Sequence, residues 1–388
     1  MPFSRFGLYY QIYFPLVKKS RLSSNLMKKK KILFPFPFPL VICLGALTII
    51  SLLFIESASQ NYRLGKALPF AQKQFIRLIP SFLLALAISY IPLKKTKENA
   101  FVFYFLGILL LISVFFLGKS AKGATRWIPL GPIRIQPSEF MKLFLILGLA
   151  RYLEHWKYSN WKSLVPPFLI TLVPMFLVLK QPDLGTSLLF LPLLFCLLFL
   201  KQTPVKALAF TGSLFILGGI LVWNLGLLNR YQMNRVYAYL YPEKYASTIA
   251  YQQIQSQIAI GSGGIWGKGV FQGSQSQLGF LPERHTDFIF AVIGEEWGFF
   301  GSLLVIILLI FTFLFLFEIG FHHKEPFGQL AVIGIAFLLS LQAFINMGIA
   351  TGILPVTGLT LPFISYGGSS TLMIWMSMGI VGQVYRTS

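Results

Sequence analysis

Long apolar segments separated by short polar connectors recur along almost the whole chain. A helix that crosses the hydrocarbon core of a bilayer needs about 20 predominantly apolar residues. Segments that approach this length occupy residues 36–56, 72–92, 99–117, 136–153, 164–180, 184–200, 205–228, 296–318, 327–350 and 366–384. The pattern therefore predicts an all-α integral membrane protein with ten transmembrane helices.

The composition agrees with a membrane bundle and not with a set of water-soluble domains. Of the 388 residues, 55% are apolar and only 12% are charged, and the long apolar runs leave no separate water-facing cores. We therefore expect one ten-helix membrane domain over residues 36–388, preceded by a basic arm at 1–35. The two cysteines, Cys43 and Cys196, lie inside predicted spans and provide neither a disulfide framework nor a metal site.

The basic residues of the connectors indicate how the chain is oriented. The formal net charge of +21 could suggest a nucleic-acid partner, but many of these cations stand between apolar segments, where they report topology. If every span crosses, the arm and the connectors at 94–97, 151–162, 201–206 and 322–324 fall on one side. The positive-inside rule assigns that side to the cytoplasm. Both termini are then cytoplasmic, the remaining connectors are external, and no nucleic acid is expected.

The connector between spans 7 and 8 is much longer than the others. It covers about residues 229–287, and loops of this length are usually functional or disordered. The stretch YASTIAYQQIQSQIAI at 245–260 is typical of an amphipathic helix, which favours an ordered loop. The glycine-rich stretch GSGGIWGKG at 261–269 matches neither the P-loop nor the Rossmann pattern. Tight backbone turning beside a helix is therefore favoured over amides that meet a lipid headgroup.

Charged residues at the ends of the apolar segments are costly in hydrocarbon and are therefore candidates for function. Glu139 and Lys142 are three residues apart on one face of span 4, as a packing ion pair or as part of a substrate site. Arg126 precedes this span and could meet an anionic phosphate or stay at the interface. Asp183 joins spans 5 and 6 almost without a loop, either as a helix cap or as a site residue.

Two further polar stretches flank spans 8 and 10. LPERHTDFIFAVIGEEWG at 281–298 holds four of the 12 acidic residues just before an apolar run. Its Thr286 or Asp287 could cap a helix expected to start at Phe288. LPVTGLTLPFISYGGSS at 354–370 places glycines and prolines at the start of span 10. These interruptions all fall toward the external face, which predicts an outward-facing site at the lipid boundary.

Five motifs together resemble one known family. In chain order they are RWIPLGPIRIQPSE, QPDLGTS, GSGGIWGKG, LPERHTDFIFAVIGEEWG and LPVTGLTLPFISYGGSS. The series is similar to the SEDS family of shape, elongation, division and sporulation proteins, over nearly everything from span 1 to span 10. Within it, GSQSQLGFLPERHTDFIFAVIGEEWG is most similar to RodA, the elongation branch, rather than to FtsW, the division branch.

The resemblance implies a ten-span peptidoglycan glycosyltransferase of the bacterial cytoplasmic (inner) membrane, which polymerises lipid II at the outer face for cell elongation. It places the catalytic aspartate at Asp287, which would take the proton of the attacking sugar hydroxyl. We expect Arg126, Lys142 and Arg284 to face the leaving diphosphate. A divalent cation, Mg²⁺ or Mn²⁺, could share that task, and no organic cofactor is expected. The other expected substrate-binding residues are Glu139, Asp183, Glu283 and Ser365.

The resemblance also implies a protein partner, a class B penicillin-binding protein, which is the transpeptidase that crosslinks the new strand. Alternatives are a flippase that transports lipid II, a division-type polymerase and a non-catalytic scaffold. Transporters tend to show related halves and midplane sites. This chain shows no repeat and its polar motifs collect at one face, which favours an enzyme.

Overall fold

The computed structural model describes residues 35–59, 69–121, 124–131, 133–226, 230–246 and 250–388. The residues from Pro35 to Ser388 form one compact unit. The predicted basic arm falls outside the described residues, except for its last position.

Each of the ten predicted apolar segments is a helix, and four additional helices lie in the connectors. The helices are α1 (Phe38–Ser59), α2 (Phe70–Tyr90), α3 (Leu93–Glu98), α4 (Ala100–Leu117), α5 (Pro137–Leu153), α6 (Val165–Lys180), α7 (Leu184–Leu200), α8 (Val205–Asn224), α9 (Arg230–Leu240), α10 (Tyr251–Gly263), α11 (Ser274–Gln277), α12 (Ile289–His322), α13 (Pro326–Ala350) and α14 (Gly368–Thr387). Short 3₁₀ turns at Trp161–Leu164 and Pro242–Tyr245 complete the helical structure of the described residues. Slightly more than half of the predicted loop at 229–287 is thus helical.

Six helical segments in the described part of the chain are long and apolar enough to cross a membrane. They are α1, α2, α4, the Trp161–Lys180 segment that ends in α6, α12 and α13. Helix α7 and the Val205–Leu221 part of α8 are apolar but shorter. The multi-span class is therefore clear, and the count of ten crossings stays a prediction.

The expectation of an all-α protein is wrong in the connector between α4 and α5. Strands β1 (Lys119–Ala121), β2 (Ala124–Leu130) and β3 (Ile133–Ile135) form an antiparallel sheet in the order β1-β2-β3. The β2–β3 hairpin turns at Gly131, whose φ of +61° suits the first position of a tight two-residue turn. The outer strands are too short for an alternating pattern to predict them.

Helix α12 begins earlier than the predicted start of span 8 at residue 296, and it is broken. It starts at Ile289 and contains a non-helical residue, Gly298, with φ +65° and ψ −157°. This region of backbone conformation is populated almost only by glycine. The break leaves nearby backbone groups without partners inside the helix.

The glycine-rich segment supplies those partners. The carbonyl oxygens of Glu295 and Glu296 each accept a hydrogen bond of 3.0 Å from the backbone N–H groups of Lys268 and Gly269. In the opposite direction, the N–H of Phe299 donates to the Gly264 carbonyl over 2.9 Å. The backbones approach so closely that a side chain on Gly298 would collide with the opposing chain. Tight backbone turning beside a helix is therefore the confirmed interpretation of this segment.

Connectors that are predicted to share a side of the membrane contact each other. At one end, Lys97 from α3 pairs with Glu154 after α5 and, over 2.9 Å, with Glu325 before α13. At the other end, the N–H of Tyr366 donates to the His285 carbonyl over 2.9 Å. The bundle between the two ends is held by helix packing, including α2 along α14 and α12 along α13. The second end carries the candidate site.

Candidate active site

Asp287 lies at the junction between the long connector and α12. Its side chain is half-buried, and its backbone carbonyl accepts a 2.8 Å hydrogen bond from Nδ2 of Asn346 on α13. A methyl group placed on Gly358 would lie 3.7 Å from Oδ2 of Asp287 and 4.0 Å from Nη1 of Arg235. The carboxylate therefore faces the segment between α13 and α14, at a position where glycine leaves room.

The N-cap position of α12 is not occupied by the predicted Thr286 or Asp287. The helix starts at Ile289 and its N-cap residue is Phe288, which makes no side-chain cap hydrogen bond. The hydroxyl of Thr286 donates to the carbonyl and to Oε2 of Glu283, over 3.1 and 3.0 Å. Glu283 thus stabilises the turn that presents Asp287.

Ser365 fastens the two polar motifs to each other. Its hydroxyl donates to the Thr286 carbonyl over 2.6 Å and accepts a 2.7 Å bond from the N–H of Leu361. Each motif also contains one non-glycine residue with positive φ, Glu283 at +52° and Phe363 at +65°. Such conformations cost about 1 to 3 kcal/mol each and collect at functional sites. The strain is therefore consistent with a constrained site at this junction.

Glu139 and Lys142 form the ion pair that their spacing predicts. The Nζ of Lys142 lies 2.8 Å from Oε1 of Glu139 and 2.9 Å from Oε1 of Gln342 on α13. The amide of Gln342 in turn donates to the Thr360 carbonyl over 2.8 Å. The pair is buried, and it connects α5 and α13 to the segment that faces Asp287. Removing one member of such a pair costs about 3 to 5 kcal/mol.

Asp183 is the N-cap of α7, as one of its two interpretations predicts. Its carboxylate accepts from the backbone N–H of Thr186 over 3.4 Å and from the hydroxyl of Ser138 over 3.0 Å. Arg126 lies 3.7 Å from it and also donates to the backbone carbonyls of Gln181 and Pro182. The two charges therefore join the sheet to the start of α7.

Arg284 is buried against the end of α1. Its Nε donates to the Ala58 carbonyl over 2.6 Å, which places a cation at the negative end of that helix. Gln136 links Asp183 to the start of α14, because its side chain donates to Asp183 (3.2 Å) and its backbone N–H donates to Ser369 (2.9 Å). The substrate-binding roles expected from the sequence stay predictions.

The two glutamates that follow Asp287 on α12 bind the 268–277 segment of the long connector and the end of α1. Glu295 accepts from Nζ of Lys268 over 2.9 Å and from the N–H of Gln275 over 2.8 Å. Glu296 accepts from the hydroxyl of Ser57 over 2.5 Å. Both glutamates are fully buried. They hold the 268–277 segment against α12 and α1.

Sequence reasoning missed two residues that bind the segment facing Asp287. Gln342 and Asn346, one turn apart on α13, are fully buried and donate to the carbonyls of Thr360 and Leu359. The available signal was their position, since amides inside an apolar span are unusual and mark sites or interhelical bonds. They set the distance between α13 and the segment that faces Asp287.

Relatives of known family cover nearly the whole chain. The model of the FtsW, RodA and SpoVE family, described as cell cycle proteins, matches residues 33–388. The chain is 36% identical over 371 residues to the probable peptidoglycan glycosyltransferase FtsW of Bacillus subtilis (strain 168), covering 92% of each chain. It is 35% identical over 354 residues to the peptidoglycan glycosyltransferase MrdB of Escherichia coli (strain K12), covering 89% of this chain and 92% of that one.

Solved structures show the same fold. A chain from a peptidoglycan synthase complex that coordinates polymerization and crosslinking matches with a TM-score of 0.76 at 31% identity, covering 92% of this chain and 98% of that one. The rod shape determining protein RodA of Thermus thermophilus matches with a TM-score of 0.68 at 28% identity, covering 92% of this chain and 97% of that one.

Proposed function

Because the chain belongs to the FtsW, RodA and SpoVE family of cell cycle proteins, we propose that it polymerises lipid II into peptidoglycan strands. This is the SEDS family that the five motifs resemble. The chain is a peptidoglycan glycosyltransferase, the activity by which its relatives are named. Lipid II as the substrate, Asp287 as the base and an active site on the outer face of the cytoplasmic membrane are the finer parts of the proposal.

The position of Asp287 is the observation that carries the mechanism. In chain growth the 4-hydroxyl of one sugar attacks the anomeric carbon of another, and the bond to the lipid diphosphate breaks. The half-buried carboxylate beside Gly358 is placed to take the hydroxyl proton. The Asn346 bond to its backbone and the Ser365 bond to Thr286 hold it in place. Such general-base assistance contributes about 10² to 10⁴ in rate.

The elongation role is proposed on one motif, GSQSQLGFLPERHTDFIFAVIGEEWG. The division-type polymerase is the second candidate, because a relative named FtsW is 36% identical and one named MrdB is 35% identical. These two values favour neither branch. Replacing the chromosomal gene for either paralogue would distinguish them, since an elongation enzyme restores rod shape and a division enzyme restores septation.

A class B penicillin-binding protein is the proposed partner. The support is the similarity to a chain of a complex that joins polymerization to crosslinking. Coupled synthesis requires the two active sites to face the same compartment, which agrees with a site among the connectors predicted to be external.

We propose that a divalent cation assists the transfer reaction. Among residues 35–59, 69–121, 124–131, 133–226, 230–246 and 250–388, no three His, Cys, Asp or Glu side chains come together as a metal cage. Mg²⁺ is commonly held by one or two carboxylates together with substrate phosphates. Asp287 and a bound diphosphate would suit such a site, where the ion would supply charge compensation.

The test is polymerisation of lipid II by the purified full-length protein in detergent. We expect Asp287→Asn to lower the rate by about 10² to 10⁴ while its unfolding temperature stays near that of the wild type. Glu243→Gln, an exposed acid in the same long connector, is the matched control and should keep full activity. Normal polymer from Asp287→Asn would remove the base assignment. A wild-type protein that makes no glycan would favour the flippase or the scaffold.

A further inference from the structure

The cations that the sequence assigned to the diphosphate are already engaged. Lys142, Arg284 and Arg126 are only 0%, 3% and 7% exposed. Lys142 and Arg126 lie beside the carboxylates of Glu139 and Asp183, and Arg284 donates to the end of α1. Two of these three cations are therefore neutralised by a carboxylate, so other cations of the site would add to the positive charge that a diphosphate at Asp287 meets.

Helix α2 carries two such cations on one face. Lys73 and Arg77 are four residues apart and therefore neighbours on the helix surface. The Nζ of Lys73 lies 5.4 Å from the ring centroid of Phe70, and the guanidinium carbon of Arg77 lies 4.9 Å from that of Tyr366. Both side chains are partly exposed. Within the part of the chain that the structure describes, neither forms an ion pair.

This face of α2 contacts the motif that carries the proposed base. The Phe70 ring stacks on His285 at 4.5 Å, two residues before Asp287, and meets Tyr366 edge-on at 5.1 Å. Arg77 reaches the start of α14, because a methyl group on Gly368 would lie 3.5 Å from its guanidinium. The two cations therefore lie along the same aromatic cluster that includes His285.

Both cations lie inside α2, which is long and apolar enough to cross a membrane. At about 1.5 Å per residue, Lys73 and Arg77 lie roughly 4 and 10 Å along the axis from Phe70, the first residue of α2. A cation inside a membrane span without an acidic partner is costly and is a candidate for function. Contacts with aromatic faces compensate only part of the lost hydration. An anionic ligand would supply the missing counter-charge.

We propose that Lys73 and Arg77 bind the diphosphate of a polyprenyl-linked sugar donor. Arginine suits phosphate oxygens because its fork can bind two of them, and lysine adds a point charge. In the transfer step the acceptor oxygen bonds to the anomeric carbon and its proton passes to Asp287. The bond from that carbon to the diphosphate oxygen breaks, and the electron pair leaves with the diphosphate, whose charge the two cations stabilise. The inference rests on the proposed function.

Binding of undecaprenyl diphosphate to the full-length protein in phosphatidylcholine nanodiscs tests the assignment without requiring turnover. We expect Lys73→Gln and Arg77→Gln each to raise the dissociation constant by about tenfold, and undecaprenyl monophosphate to bind more weakly than the diphosphate. Lys244→Gln is the matched control, since Lys244 also lies over an aromatic ring, 5.2 Å from the Tyr241 centroid, in the long connector. It should change the dissociation constant by less than about twofold.

Three results would overturn the assignment. They are wild-type protein that does not bind undecaprenyl diphosphate, variants that bind it normally, and phosphatidylglycerol that competes as well as the diphosphate with an equal loss in the variants. The last result would mean that the two side chains only reach for lipid headgroups. If Arg77→Gln does not fold, Arg77→Lys and Lys73→Gln are measured instead. Arg77→Lys should retain part of the diphosphate binding, and Lys73→Gln should clearly lose it.

Failure of the inference and failure of the proposed function are distinguishable. Polymer made by the wild-type protein, together with normal diphosphate binding by both variants, would contradict this inference alone. No polymer, together with weakened binding in the variants, would contradict the proposed function alone.

Discussion

Glu154 joins separate elements through a single side chain. It follows α5, pairs with Lys97, and lies 2.9 Å from Nη1 of Arg151, while its backbone carbonyl accepts a 3.1 Å bond from Lys201. Burial alone would raise the pKa of the Glu154 carboxyl, but hydrogen bonds from Lys97 and Arg151 outweigh it, and the pKa is lowered. The bond to Glu154, followed by that to Glu325, raises the pKa of Lys97. The cluster is therefore an ionised network at neutral pH.

The lowered pKa of Glu154 predicts an acid-sensitive contribution to stability. A carboxyl whose pKa is lower in the folded state stabilises the protein above its unfolded pKa, and this contribution is lost as the pH falls through the folded value. With an ordinary pKa of 4.5, the contribution is complete at neutral pH and declines below about 4.5. We expect Glu154→Gln to lower the free energy of unfolding by about 1 to 3 kcal/mol at neutral pH.

Thermal unfolding in detergent at neutral pH and near pH 3.5 measures this effect. The gap between wild type and Glu154→Gln should narrow at the lower pH. Glu98→Gln is the control, because Glu98 is 56% exposed and lies 3.9 Å from Lys94, so its loss should matter little. A gap of the same size at both pH values would contradict the prediction.

Spacing predicted contacts between residues close in the chain and missed those between distant ones. The Glu139–Lys142 pair follows from two residues one turn apart. The bond from Lys142 to Gln342 spans 200 residues, and no local pattern encodes it. For the same reason, no local pattern indicates the contact of Arg284 with the end of α1.

At the scale of elements, the break in α12 depends on one residue. Gly298 adopts a conformation that other residues adopt only at a cost of about 1 to 3 kcal/mol. Its missing side chain also admits the backbone of Ile265 and Gly267. Both effects act together, because the opposing contacts are main-chain atoms that cannot rotate away.

Gly298→Ala should therefore lower the free energy of unfolding by at least about 2 kcal/mol. Gly45→Ala is the matched control, since Gly45 lies inside α1 and an added methyl group there would meet nothing within 4 Å. It should be neutral, or stabilise by about 0.5 to 1 kcal/mol. Equal unfolding temperatures for the two variants would contradict this account of the break.

Apolar segment length correctly predicted a helix at each of the ten segments. It failed where the local structure depends on contacts with another segment. The first two turns of α12 carry Glu295 and Glu296, so they resembled a connector in the sequence. Hydrogen bonds from 268–277 and from α1 allow both acids to be buried. The strands at 119–135 were missed because a few alternating residues do not stand out beside long apolar runs.

At the scale of the whole molecule, contacts sort the connectors into two groups. The connectors that carry Lys97, Glu154 and Glu325 contact each other, and those that carry Asp287 and Ser365 contact each other. This division agrees with alternating crossings. Among the described helices, α5 and α14 belong neither to the six long apolar segments nor to the two shorter ones, so the count of ten depends on α5 and α14 as well as on α7 and α8.

Single cysteines in a background without Cys43 and Cys196 can test these crossings. A maleimide that does not cross membranes should label Glu243→Cys in intact cells. Ser159→Cys and Lys206→Cys, at exposed positions in connectors predicted to be cytoplasmic, should react only after permeabilisation. Labelling of Lys206→Cys in intact cells would mean that α7 does not cross.

The interlocked backbone at the break of α12 has a practical use. Main-chain atoms hold residues 264–269 in place, so the outward side chains there can be exchanged without releasing the segment. Trp266 is 81% exposed, and a spin label or fluorophore at that position would move together with α12 as a rigid unit. The movement of the label during synthesis would then report the tilt of α12 rather than local motion of a loop.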